Sequence, residues 1–156
     1  MADIAAFPTI RHVMWRMGSG NIGSYTAGAT IVAGMVVAFH GTGVAGVVWP
    51  AVKGTTDAIV GVALAGAAIG AKVAVAGPGC VVYVANADDT TTGEAGDYVE
   101  DNDNAVGGTV SVAARVDAGV VAVVKFCVGV LESGLAANGT GLCRLICGPV
   151  TSANNV

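Results

Sequence analysis

The side chains able to do chemistry are few and scattered: histidines His12 and His40, glutamates Glu94, Glu100 and Glu132, and cysteines Cys80, Cys127, Cys143 and Cys147. Nucleophilic catalysis needs a base within reach of a hydroxyl or thiol, and no spacing here pairs them; the GxSxG elbow is absent. Zinc needs closely spaced Cys and His ligands. Cys143 and Cys147 are too far apart for a CxxC knuckle, and neither histidine has a partner at ligand spacing. On a strand, Cys143 and Cys147 share a face with Leu145, the pattern of a buried apolar stripe. The cluster Glu100-Asp101-Asn102-Asp103-Asn104 offers hard oxygen ligands for calcium. It lacks the glycine and distal glutamate of an EF-hand loop and reads better as a solvated turn. Two GxGxxG matches, Gly18 to Gly23 and Gly41 to Gly46, lack the strand-then-helix context that would make them phosphate loops, and read as turns. Asn138-Gly139-Thr140 fits a glycosylation sequon and is also read as a turn. The expectation is a chain without catalytic activity, cofactor or metal.

What must position these residues is unusual in composition. The 156 residues include 24 glycines, with only 12% charged and 5% aromatic side chains. That charged share is about half the usual ~25%. Such a chain cannot cover itself with an ordinary charged surface, so lipid or other subunits are expected to cover part of it. The net charge of −4 argues against nucleic acid, which calls for a basic stripe. The first residues, with Asp3, Pro8 and basic residues after the apolar part, do not read as a secretory signal. The cysteines are therefore expected to be reduced and to act as small buried hydrophobes.

The longest apolar region runs from Ala58 to Ala85. Its uncharged core, Ala58 to Ala71, is shorter than the roughly 20 residues of a spanning helix. Lys72 ends it, and its β-branched and glycine content disfavours a helix. We read two core strands around a glycine-rich connection, and no membrane span. Strands are expected at Ala29 to Ala33, Met35 to Phe39, Val44 to Trp49, Ala58 to Leu64, Lys72 to Ala76, Cys80 to Ala85, Asp97 to Val99, Thr109 to Arg115, Gly119 to Val130 and Leu142 to Cys147. Turn chemistry separates them, as at Gly77-Pro78-Gly79, and loops 86–96 and 100–104 are the most polar. Frequent short strands predict an all-β fold, a compact β-barrel or β-sandwich over residues 27–150. Residues 1–26 show no sustained period and read as an extended N-terminal arm lying over a neighbouring subunit, with Phe7, Trp15 and Tyr25 as partner-binding anchors. Residues 151–156 read as a flexible tail.

A weak internal echo runs through the chain. IVGVALAGAAIG at 59–70 aligns with CVGVLESGLAAN at 127–138, and AGMVV at 33–37 with AGDYV at 95–99. Taken as real, it implies two similar β-units packed together.

The Ala-Gly strand openings at Ala33-Gly34 and Ala95-Gly96, the Val60 to Ala63 strand, and the small-residue turn into Lys72-Val-Ala-Val resemble the small capsid decoration, or cement, proteins of tailed bacteriophages and related viruses. The resemblance covers roughly Ala27 to Val99 and, more faintly, the C-terminal third. It implies a β-rich, non-catalytic virion protein, made in the host cytoplasm and bound to the outer surface of the head shell. Its partner would be the major capsid protein, and the chain a homo-oligomer, with a trimer favoured. The longer aromatic arm and the high apolar content depart from the simplest members. Two other readings stay open: a receptor- or glycan-binding β-domain of a spike or tail presenting loops 86–96 and 100–104, and a self-assembling shell or fibre subunit.

Overall fold

The computed structural model describes residues 5–16, 22–40, 44–53, 58–102, 106–112 and 124–151. The fold is all-β, with no helix among the described residues and so none long and apolar enough to cross a membrane. The strands are β1 (Met14–Arg16), β2 (Ile22–Ala27), β3 (Val36–Ala38), β4 (Val47–Pro50), β5 (Ile59–Ala63), β6 (Lys72–Ala76), β7 (Val81–Ala85), β8 (Tyr98–Asp101), β9 (Val110–Val112), β10 (Val124–Leu131) and β11 (Thr140–Thr151). They form two sheets. One is a closed barrel, β2-β4-β3-β5-β6; the other is six-stranded, in the order β1-β7-β11-β10-β8-β9.

The second sheet repeats the circuit of the first. In the barrel, β3 pairs β5 through Val37 with Gly61 and Val36 with Val62, and β8 pairs β10 through Val99 with Gly129 and Tyr98 with Val130. The β3·β4 pairs, Val37 with Pro50 and Ala38 with Trp49, recur in β8·β9 as Val99 with Val112 and Glu100 with Ser111. The β5·β6 pairs, Val62 with Ala76 and Ala63 with Val75, recur in β10·β11 as Val130 with Arg144 and Leu131 with Cys143. The antiparallel β2·β6 ladder corresponds to β7·β11. Even the unusual parallel pairing of Ala27 with Val48 returns as the single parallel bridge between Asn86 and Val110, which links the first circuit strand of the second sheet to its last.

The turns follow the same rule. Gly34 donates to the Ala63 carbonyl and Gly96 to the Leu131 carbonyl, both at 2.8 Å. Both glycines have positive φ, 94° and 97°, which an L side chain rarely adopts. Ile31 bridges Ala67 as Gly93 bridges Leu135. The internal echo in the sequence thus corresponds to a structural duplication.

Small side chains make this geometry possible. The barrel interior is filled by Ala27, Ile31, Met35, Val37, Val48, Ala63, Val73 and Val75. The alternate residues of the same strands, Val36, Ala38, Ile59, Val62 and Ala76, face outward and join Val82, Val84, Val99, Val110, Leu131 and Leu135 in a second core between and within the two units. Strand β3 is therefore buried on both faces, which accounts for its unbroken apolar run.

The structure also corrects several expectations. Residues 22–26, read as part of the arm, form most of β2, a full member of the barrel. The described part of the 27–150 region holds two circuits, as the internal echo implies. Ala58 to Ala85 holds three strands, β5, β6 and β7, at the three places where strands were expected, so the stretch is more than two core strands around one connection. Ile31 makes only an isolated bridge in place of the strand expected at Ala29 to Ala33. Strand β11 runs through Gly148 and Pro149, which were expected to stop it, and includes Thr151 from the presumed tail. A bulge between Cys127 and Gly129 takes up the irregularity, with Cys147 at a φ of 51°.

Two glycines sit at the tightest crossings. A Cβ on Gly61 would run into the Ala76 carbonyl, and one on Gly129 into the Arg144 carbonyl, the same place in each unit. Gly61→Ala and Gly129→Ala are each expected to destabilise by about 1–3 kcal/mol, as overpacking does. Gly134→Ala, where a Cβ meets only a carbonyl oxygen at 3.9 Å, should change stability by less than about 0.5 kcal/mol. Urea unfolding midpoints of the three variants check this.

Candidate partner-binding surface

The first twelve described residues lie along their own chain. Phe7 is half-buried and packs with Tyr25 against the barrel core. Ile10 and Val13 belong to the second core, and Ile10 lies close over Gly34. The Val13 carbonyl accepts from Tyr83 N–H at 2.8 Å, and β1 then pairs with the start of β7. The segment straps the barrel to the second unit. Tyr25 meets Phe39 edge to face, ring centroids 6.2 Å apart. Phe7 and Tyr25 are thus engaged in the fold itself, and the structure does not bring them together with Trp15.

Trp15 is different. It lies in β1, an edge strand of the second sheet, and is 64% exposed. Arg16 beside it reaches Glu132 at 3.3 Å, and Arg144 approaches the same carboxylate at 3.7 Å. Exposed pairs of this kind contribute at most about 1 kcal/mol. They lie beside the edge strand and leave the indole uncovered.

A second exposed apolar group was not singled out from the sequence. Three stretches of the first unit meet at one end of the barrel, around the last residues of β2. Thr26 N–H donates to the Gly46 carbonyl, Ala27 N–H to the Ala71 carbonyl and Gly70 N–H to the Ala27 carbonyl, while Ile31 bridges Ala67. Their tips expose Val44 and Ile69, each at 69%, and Val32 at 37%. Sequence hydropathy cannot separate these residues from the core valines and isoleucines beside them. Only the turn positions do.

The chemistry-bearing residues are otherwise occupied. Cys80, Cys127 and Cys143 are buried, and Cys147 is half-buried against the second core. Burial pushes the Cys127 thiol up to about 11. Burial first, then the nearby Cys127 and Cys80 thiols, push Cys147 up to about 12; Cys143 is raised further for the same primary reason. His40 packs on Trp49, ring centroids 5.4 Å apart, and His12 is exposed on the strap. Among the described residues no group of three or more His, Cys, Asp or Glu side chains could hold a metal ion. Residues 18–21 of one GxGxxG segment and 41–43 of the other, and Asp103 and Asn104 of the acidic cluster, lie outside the described residues. In the rest of that cluster, Glu100 accepts from Lys53 at 3.0 Å, and burial raises the Asp101 carboxyl above its ordinary value.

Loop 86–96 is internally organised. Buried Asn86 donates to the carbonyls of Thr91 and Ala136 and accepts from Asp88 N–H. The Thr91 hydroxyl, with the amide and hydroxyl of Thr90, holds the Asp88 carboxyl far below the usual carboxylate range. The sign follows: a depressed carboxylate contributes stability above its unfolded pKa and loses it only as pH falls through the lower folded value. The cysteines work from the other side. Folded thiols that hold their protons more tightly favour the native state up to the ordinary thiol value of 9.0, and that advantage erodes as pH climbs toward about 12.

At pH 8 the native thiols are expected to label with a maleimide far more slowly than those of the urea-unfolded chain, because thiolate is the reactive species. Mass spectrometry of labelled native and unfolded protein measures this; full native labelling of Cys127 and Cys143 within minutes would contradict the burial described.

No protein-family model matches the chain, and no curated protein matches it at a significant level.

Proposed function

We propose that the chain is a structural virion protein, a capsid decoration protein that binds the outer surface of a head shell and stabilises contacts between capsomers. The major capsid protein is its partner, and the chain works as a homo-oligomer, with a trimer favoured from the resemblance. The observation that carries this reading is Trp15, a large aromatic left open to water on an edge strand. Tryptophan is among the residues most enriched at binding hot spots, and an edge strand offers unpaired backbone to a partner. A low-charge β-scaffold with small side chains, present in many copies, gains its hold through multivalency. Phe7 and Tyr25 contribute by fixing the strap that presents Trp15.

A second reading, a receptor- or glycan-binding domain, is favoured by Tyr98. It is 44% exposed at the start of β8, beside Asp97, in the half of the molecule that carries the polar loops.

Cryo-electron microscopy of head shells incubated with the purified protein tests the proposal. An ordered outer layer is expected, with Trp15→Ala weakening binding about 30-fold, a loss of roughly 2 kcal/mol. A position at a vertex or tail points instead to receptor binding, and a continuous lattice formed by the chain itself to a shell or fibre subunit; either overturns the decoration reading.

A further inference from the structure

The duplication supplies an internal control, since what one unit has alone the shared circuit does not need. All four cysteines, from Cys80 onward, fall in the second unit. Two of them have apolar counterparts. Leu131 pairs Cys143 as Ala63 pairs Val75, and Cys127 stands two residues before Gly129 as Ile59 stands two before Gly61. Valine and isoleucine serve the first unit at these places, so packing alone does not call for thiols. Cys147 goes further. Its φ of 51° lies in the left-handed region that glycine tolerates and other residues rarely adopt. It stands three residues past Arg144; three past the equivalent Ala76 stands Gly79, left-handed as well at 90°. The first unit meets this backbone with glycine, and the second keeps a cysteine there at a cost in strain.

The second unit also has a length of ladder that the first lacks. Pairing of β5 with β6 ends at Val62 with Ala76, whereas β10 and β11 run on past the bulge, from Cys127 with Gly148 to Val124 with Thr151. Third strands join only on the other side of that bulge. Strand β8 pairs with Gly129 and Val130, β7 pairs as far as Arg144, and Leu145 N–H donates to the Cys80 carbonyl at 2.9 Å. Among the described residues, 124–127 and 148–151 therefore form a ribbon with no third strand, and a lone two-stranded ribbon is marginal in water. At its base one residue of β10, Val128, spans two of β11, Ile146 and Cys147.

We infer that Cys127 and Cys147 are a disulfide site, whose closure in an oxidising medium locks the base of this ribbon. Cys127 pairs with Gly148, the residue after Cys147, so the two cysteines lie on a short diagonal of one ladder. Antiparallel partners are roughly 4.5–5.5 Å apart, and a disulfide spans roughly 4.4–6.8 Å between Cα atoms. The left-handed turn at Cys147 breaks the alternation that sends neighbouring side chains to opposite faces. Cys143 is four residues farther down the strand, opposite Leu131. After burial, it is the Cys127 thiol that raises Cys147 most, with Cys80 next. The oxidant is a small-molecule disulfide such as oxidised glutathione. The thiolate of half-buried Cys147 attacks one of its sulfurs, and one glutathione leaves as thiolate. The Cys127 thiolate then attacks the Cys147 sulfur of this mixed disulfide and releases the second glutathione. Two protein thiols give up two electrons and two protons, and the small disulfide is reduced to two thiols. Burial keeps both cysteines protonated, so closure is slow and follows local opening of the ribbon. The inference is independent of the decoration reading.

The test incubates the full chain at pH 8 with excess oxidised glutathione and follows its intact mass. A loss of two hydrogens over hours is expected. After the remaining thiols are alkylated, a digest without reductant should yield one cross-linked peptide, joining Cys127 to Cys147. Amide exchange across 124–127 and 148–151 should slow at least about tenfold on oxidation, while β5 and β6 of the first unit exchange as before. Cys127→Ala and Cys147→Ala should each abolish the loss, and Cys143→Ala should leave it. If a variant folds poorly, the cross-link map and exchange of the wild type decide alone. A wild-type mass that never falls or stops at a glutathione adduct overturns the inference. So does a cross-link from Cys147 to Cys80 or to a second copy, or oxidation that leaves exchange in the ribbon unchanged.

Discussion

The structure depends on how closely two strands can approach where the sheets curve. At Gly61 the barrel brings the backbone of β5 against the Ala76 carbonyl, and at Gly129 the second unit does the same with Arg144. No side chain fits in either place. A circuit of only five short strands has a narrow interior, and valine and alanine fill it where leucine or phenylalanine would force it open. The composition that first looks like a membrane signal is the consequence. Alanine, valine and glycine dominate because strands buried on both faces at such small spacing admit little else.

That constraint also explains how the two units diverged. Inside, they differ by compensated steps: Ala67 and Ala63 of the first correspond to Leu135 and Leu131 of the second, and Val73 to Gly141. A polar replacement was accepted within the core, Asn86 at the place of Ala27, and it is satisfied by two carbonyls and an amide of its own loops. Outside, packing imposed no such discipline, and the loops went to opposite extremes of polarity.

The sequence made much of this legible. Strands β3, β5, β6 and β7 could be placed from alternation and turn glycines, and Lys72 to Ala76 coincides with its expected limits. The duplication was visible in Val-Gly-Val at two sites because the close approach fixes that glycine. Three things were hidden, each for a physical reason. Strand β2 contains Gly23, Ser24 and Thr26, so its polar, glycine-broken pattern resembles a linker, and only pairing with β4 and β6 makes it a strand. Gly148-Pro149 looked like a stop, yet proline is tolerated where the ladder does not need its N–H. Of the aromatic anchors, sequence could not tell Trp15, which faces water, from Phe7 and Tyr25, which face the barrel core. Burial is set by what the strap lies on, and that surface is assembled from distant residues.

The strap has a consequence for the order in which the chain assembles. Every pairing of the barrel lies within residues 22–76, so that circuit can close as soon as those residues are available. The partner of β1 is β7, which lies beyond the barrel in sequence and belongs to a sheet completed only by β11. Loop-closure entropy favours the nearer contacts first. Strand β1 leaves the ribosome before the strands it joins and therefore waits for its place until the second unit has formed, and docking it is a late step that fastens the two halves together.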